Sequence, residues 1–201
     1  MRTAIRRACG TVLLSPAVVA AQQASTAAPV LTAEQQVAVA VLPLPMEMRS
    51  GATVLGYGTD GKLVELRRGT GDMTCLAPNR TMSRFHVACY HRSLEPFMAR
   101  GRALRASGVT GDGVDSVRFA EARSGKLVMP REPASLYSLT GDWTTFDAST
   151  LTSNGARPLF VVYIPFATAK TTGLSEKPAR GTPWLMGAGT PKAHIMFVPE
   201  M

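Results

Sequence analysis

The 201-residue chain is short of the side chains that most often carry chemistry: three histidines, three cysteines and two tryptophans, with aromatic residues at 6%. Charged residues make up only 18%, while apolar residues reach 45%. That balance excludes a coiled coil, a collagen-like repeat and a wholly disordered chain. Catalytic signatures are missing too, since no GxSxG, SxxK or HExxH occurs anywhere. After the first twenty-one residues no apolar run approaches the roughly 20 residues of a membrane span. The longest, Pro158 to Ala169, has 12 residues.

What is present begins with an address. Arg2, Arg6 and Arg7 form a basic end, Ala8 to Ala20 an apolar stretch, and Val19-Ala20-Ala21 a small-residue cleavage site. Residues 1–21 therefore read as a signal peptide, and the mature chain is expected to be extracytoplasmic, in a periplasm or secreted, with no transmembrane segment. The Arg6-Arg7 pair leaves Sec and twin-arginine export both open. The formal net charge is +8, but three arginines leave with the signal. The remaining basic residues are scattered rather than clustered with exposed aromatics, so no nucleic-acid partner is expected.

Cys9 belongs to the signal, leaving Cys75 and Cys89 as an even number in an oxidising compartment. A disulfide between them is expected, closing a loop of about 15 residues worth roughly 3 kcal/mol in the chain-entropy model.

The pattern along the chain predicts a disordered leader over 22–31 and one α+β domain over 32–201. Thr32 to Gln35 has capping-box spacing and starts a short helix that Pro43 ends; Pro45 to Gly51 reads as another helical turn. Two runs rich in β-formers flank Thr59-Asp60-Gly61 as a hairpin. Met73 to Ala77 and Phe85 to Tyr90 are further strands.

Ser93 is placed to cap the main helix, Leu94 to Ser107, whose face of Leu94, Phe97, Met98, Gly101 and Leu104 is expected to pack on the sheet, with Gly101 permitting close approach. A second helix spans roughly Asp112 to Ser124, with Asp115 and Arg118 read as a surface ion pair. Strands at Ser135 to Leu139, Leu159 to Ile164 and His194 to Val198 follow. Leu159 to Ile164 lacks alternation and reads as a central strand covered on both faces. The stretch from Thr168 to Lys192 reads as a long irregular loop. The expected fold is thus α+β: an antiparallel or mixed sheet packed against one main helix and shorter helices, with a long irregular C-terminal loop region.

His86, His91 and His194, with Glu95 or an aspartate, are the residues available for a zinc or copper site. His86 and His91 are five apart, so a strand puts them on opposite faces. His86 and His194 lie on separate strands that a sheet could bring together. Ser138 with Asp142 or Asp147 offers a nucleophile and an orienting acid, but such residues occur in most loops. Glu65 alternates with Val64 and Leu66 and reads as solvent-facing. Trp143 and Trp184 supply little aromatic platform for a polysaccharide.

The strings FHVACYHRSLEPFMARGRALR (Phe85 to Arg105), LFVVYIPFAT (Leu159 to Thr168) and PWLMGAGTPKAHIMFVPEM (Pro183 to Met201) give the chain a resemblance to an exported bacterial family of uncharacterised function. The resemblance covers most of Leu31 to Met201 and implies bacterial export and a single domain, with no activity attached. The functional expectation is a binding or interaction domain with no cofactor, for an unknown small molecule or envelope protein. The alternative is a metal-dependent hydrolase built on the histidines.

Overall fold

The computed structural model describes residues 28–179 and 181–198. The expected signal peptide and the start of the expected leader lie outside the described residues. At the leader's end, Leu31 already packs against Val39, Phe85 and Val87.

Helix α1 (Ala33–Ala40) starts where the capping box was expected. The Thr32 hydroxyl accepts the Gln35 backbone N–H, and the Gln35 side chain accepts the Thr32 N–H in return. A short turn, α2 (Met46–Arg49), follows Pro45, which stands at the cap position. Strands β1 (Thr53–Tyr57) and β2 (Leu63–Arg67) form the predicted antiparallel hairpin.

Next come β3 (Met73–Leu76) and β4 (Phe85–His91), paired antiparallel with Cys75 opposite Cys89. Helices α3 (Glu95–Ala106) and α4 (Asp112–Arg123) separate β4 from β5 (Ala134–Gly141). A two-stranded arm, β6 (Phe146–Asp147) and β7 (Thr152–Ser153), precedes β8 (Arg157–Tyr163). The stretch expected as loop contains a helical turn, α5 (Ala169–Thr172), and a strand, β9 (Trp184–Met186), before the final β10 (His194–Phe197).

Eight strands form one mixed sheet in the order β2-β1-β3-β4-β5-β8-β10-β9. Only β1 and β3 run parallel among the pairs described. The fold is α+β, as the sequence pattern indicates.

Each face of the sheet has its own core. On one face, α1 and the chain leading to β1 cover Val54, Cys75 and Cys89, while Trp143, Phe146 and Leu151 cover Phe85 and Val87. On the other face, Leu94 and Phe97 pack with Tyr90, Val161 and Tyr163. Phe85 and Phe97 are both 0% exposed, and burying such a side chain contributes about 1.5–3 kcal/mol.

Two expectations fail here. Strand β8 is not covered on both faces: Val161 and Tyr163 are buried, but Phe160 is 37% exposed and its cross-strand partner Phe197 is 45% exposed. Helix α1 covers the β1, β3 and β4 side of that face, so the apolar run in β8 reflects one buried row and one open row. Gly101 faces not the sheet but α4, where a Cβ would meet Arg118 Nη1 at 2.9 Å.

Candidate functional site

The residues considered for a metal site are scattered by the strand order. His86 lies opposite Thr140 on β5, which lies opposite Arg157 on β8; His194 lies opposite Tyr163, six residues further along β8. Strands β4 and β10 are also three positions apart. The two histidines are therefore about 14 Å apart across the sheet and roughly 20 Å along it, far beyond ligand distances near 2 Å.

Local roles occupy each of these residues instead. His86 Nδ1 is 2.8 Å from Thr140 Oγ1. His91 caps the 3-10 turn Arg92–Leu94, accepting the Ser93 backbone N–H, and α3 then starts from Leu94 with no side-chain cap, so Ser93 does not cap the main helix as expected. His194 Nδ1 lies 2.6 Å from the Lys192 carbonyl, which fixes the proton on Nδ1. Its ring is buried beside Tyr163, with centroids 5.2 Å apart. Desolvation and the nearby Lys192 charge lower its pKa from the ordinary histidine value, outweighing that hydrogen bond. Among the described residues, no three His, Cys, Asp or Glu side chains gather closely enough to hold a metal ion.

Glu95 joins a closed network instead. Tyr90 Oη donates to Glu95 Oε2 at 2.5 Å, and Arg102 donates to Tyr90 Oη at 2.9 Å and to Glu95 Oε1 at 2.5 Å. Burial and the Glu95 hydrogen bond raise the Tyr90 pKa far above the ordinary tyrosine value. With each group satisfied by the others, the trio anchors α3 to β4.

A second network ties α4 to the last strand pair. Asp115 accepts from Arg118 and, at 2.8 Å, from Lys192 Nζ. Arg118 is buried rather than surface-exposed, with its guanidinium carbon 3.8 Å from the Phe97 ring centroid and a hydrogen bond to the Phe97 carbonyl. The stacked ring and Asp115 compensate part of the cost of burying this charge.

The Ser138 grouping does not assemble either. Ser138 is buried, and among the described residues no histidine hydrogen-bonds to it. Asp142 pairs with Arg84, and Asp147 folds back on Ser149 and Thr150. Glu65 is solvent-facing as expected, paired with Arg68.

A concave feature among the described residues lies elsewhere, where the loop before β4 meets the turn after β5. It is a cleft of about 330 Å³, within the ordinary size range for small-molecule sites. Arg80, Met82 and Ser83 form one wall; Asp142, Trp143 and Thr144 form the other, and Ala28 closes one side. The register Phe85 opposite Gly141 brings the two walls together. Arg84 and Asp142 cross between them at 3.6 Å, and the Trp143 indole N–H donates to the Met82 carbonyl at 3.0 Å. Behind the cleft, Trp143 stands edge-on to Phe85 and Phe146, at centroid distances of 5.4 and 5.7 Å.

The cleft offers a guanidinium, a carboxylate, two hydroxyls and apolar surface from Trp143 and Met82. That set suits recognition of a small polar molecule. No histidine lines it, and its one carboxylate, Asp142, is engaged with Arg84. Of the two aromatic residues discounted for binding, Trp143 is the one at a site; Trp184 is buried on β9. No protein family, curated protein or solved structure matches the chain.

Proposed function

We propose that the protein is an extracytoplasmic binding domain that takes a small polar ligand in the cleft between the Arg80–Ser83 wall and the Asp142–Thr144 wall. The observation that carries this reading is the cleft itself, a concave site with converging polar groups set against a rigid aromatic cluster. Export is supported by the basic and apolar N-terminal pattern and by the buried Cys75–Cys89 disulfide. No helix among the described residues is long and apolar enough to cross a membrane. The hydrolase alternative has no gathered donor set behind it.

A thermal-shift screen of small polar metabolites tests the reading. A ligand present at about 100 times its Kd adds about 2.7 kcal/mol, so a genuine ligand raises Tm measurably in the native chain. The gain is expected to disappear in Asp142→Ala, whose side chain is exposed and whose loss leaves the core intact. Stabilisation that is indifferent to Arg80, Asp142 and Trp143 substitutions, or no stabilisation by any compound, overturns it. Export is tested separately, by fractionation and the mass of the mature N-terminus, expected at Gln22.

A further inference from the structure

Given that reading of the cleft, we infer that its ligand is a sugar acid, a compact polyhydroxylated ring bearing one carboxylate. The charge balance of the lining sets the sign of the ligand. Asp142 and Arg84 neutralise each other across the cleft at 3.6 Å. Arg80 is exposed, lines the cleft, and makes no hydrogen bond or ion pair with any described residue. Among the described residues of the lining one guanidinium is thus unopposed, and a guanidinium binds a carboxylate through two parallel hydrogen bonds.

The other lining groups call for hydroxyls. A paired carboxylate such as Asp142 still has free lone pairs that only donors satisfy, and Ser83 and Thr144 both donate and accept. An aliphatic carboxylate would leave these three groups to water alone; a polyphosphate would bring more charge than one arginine answers. Trp143 and Met82 add an apolar surface against which the C–H groups of a sugar ring pack. The indole is held in place by its bond to the Met82 carbonyl and by two aromatic neighbours, so little ordering is lost on binding.

Isothermal titration of the full mature chain distinguishes the possibilities, with glucuronate, galacturonate and N-acetylneuraminate as probes and galactose and butyrate as controls. At least one acidic sugar is expected to bind saturably, with galactose and butyrate each at least tenfold weaker. Arg80→Gln is expected to weaken the acidic sugar at least tenfold and leave galactose unchanged; because Arg80 is exposed and bonds to no other described residue, this variant should fold normally. Equal binding of galactose overturns the role of the carboxylate, and equal binding of butyrate overturns the role of the hydroxyls. If no acidic sugar binds but another compound stabilises the chain in an Asp142-dependent way, the ligand class is wrong and the binding reading survives. If nothing binds the cleft, both fall.

Discussion

Reduction of the Cys75–Cys89 bridge is the perturbation whose outcome the structure specifies most closely. The two residues sit directly opposite each other on β3 and β4, 14 apart in sequence, and both are 0% exposed. A loop of that length is worth about 3 kcal/mol in the chain-entropy model. For a chain of this size, that is a loss of roughly 6–12 °C in Tm. Reduced wild-type protein keeps both sulfur atoms in the core, so its difference from the oxidised form isolates the cross-link. The Cys75→Ala/Cys89→Ala double variant also empties space beside Val54 and Met73; at ~0.8 kcal/mol per methylene-sized group it should lose one to two kcal/mol more. Urea unfolding of the three forms measures both quantities. Because both sulfurs are fully buried, reductant should act on the native protein only through opening of the β3–β4 pair, and added urea should accelerate it. A reduced form within about 1 kcal/mol of the oxidised form would refute the loop-closure argument.

Other substitutions test the assignment of faces and networks. Phe85→Ala should cost about 3–5 kcal/mol by urea unfolding, and Phe160→Ala, on the open row of β8, less than about 1 kcal/mol; equal costs would mean that the open face is covered. Arg118→Ala should cost about 1–3 kcal/mol, because it leaves the Phe97 carbonyl without its donor and strips the ring of its cation, while Asp115 keeps Lys192. Desolvation opposes the Asp115 charge, but hydrogen bonds from Lys192 and Arg118 outweigh it and lower its pKa. Asp115 therefore adds stability that is complete above the ordinary carboxylate range and lost as pH falls through its lowered value, and Asp115→Asn should flatten that acid limb. His194, also lowered, contributes stability that is complete above about pH 6.5 and declines as pH falls towards its native value. A His194 pKa above 6.5 by NMR titration would contradict its buried, neutral placement.

Local signals along the chain translated well into elements. The capping box at Thr32, the Asp60-Gly61 hairpin and the apolar stripe of α3 are each encoded within a dozen residues, and each formed where the spacing put it. The disulfide was legible because two cysteines remain, with one possible pairing, once Cys9 is assigned to the expected signal. What failed was information held between distant segments. The apolar run of β8 is the same whether one face or two are covered; which obtains depends on α1 packing over β1 and β4 rather than over β8. Arg118 looked like half of a surface pair because Asp115 stands three residues away, and nothing local signals that Gly101 on α3 opens room to bury its guanidinium. Strand β9 is three residues among prolines and glycines, too short for its period to show.

The histidines and the cleft show the same limit from opposite sides. His86 and His194 lie on separate strands, so their meeting depended on strand order, and β5 and β8 lie between them. The cleft depends on one register. Placing Phe85 opposite Gly141 sets Arg84 beside Asp142 and leaves Trp143 free to turn back onto the Met82 carbonyl. A slip of one residue would send Phe85 and Val87 to the opposite face and dismantle the aromatic cluster behind the cleft. The geometry of the cleft is therefore coupled to core packing: the contacts that bury Phe85 against Trp143 and Phe146 also hold the cleft's two walls in register. Destabilising that cluster should weaken the proposed ligand binding even where no substituted atom lines the cleft.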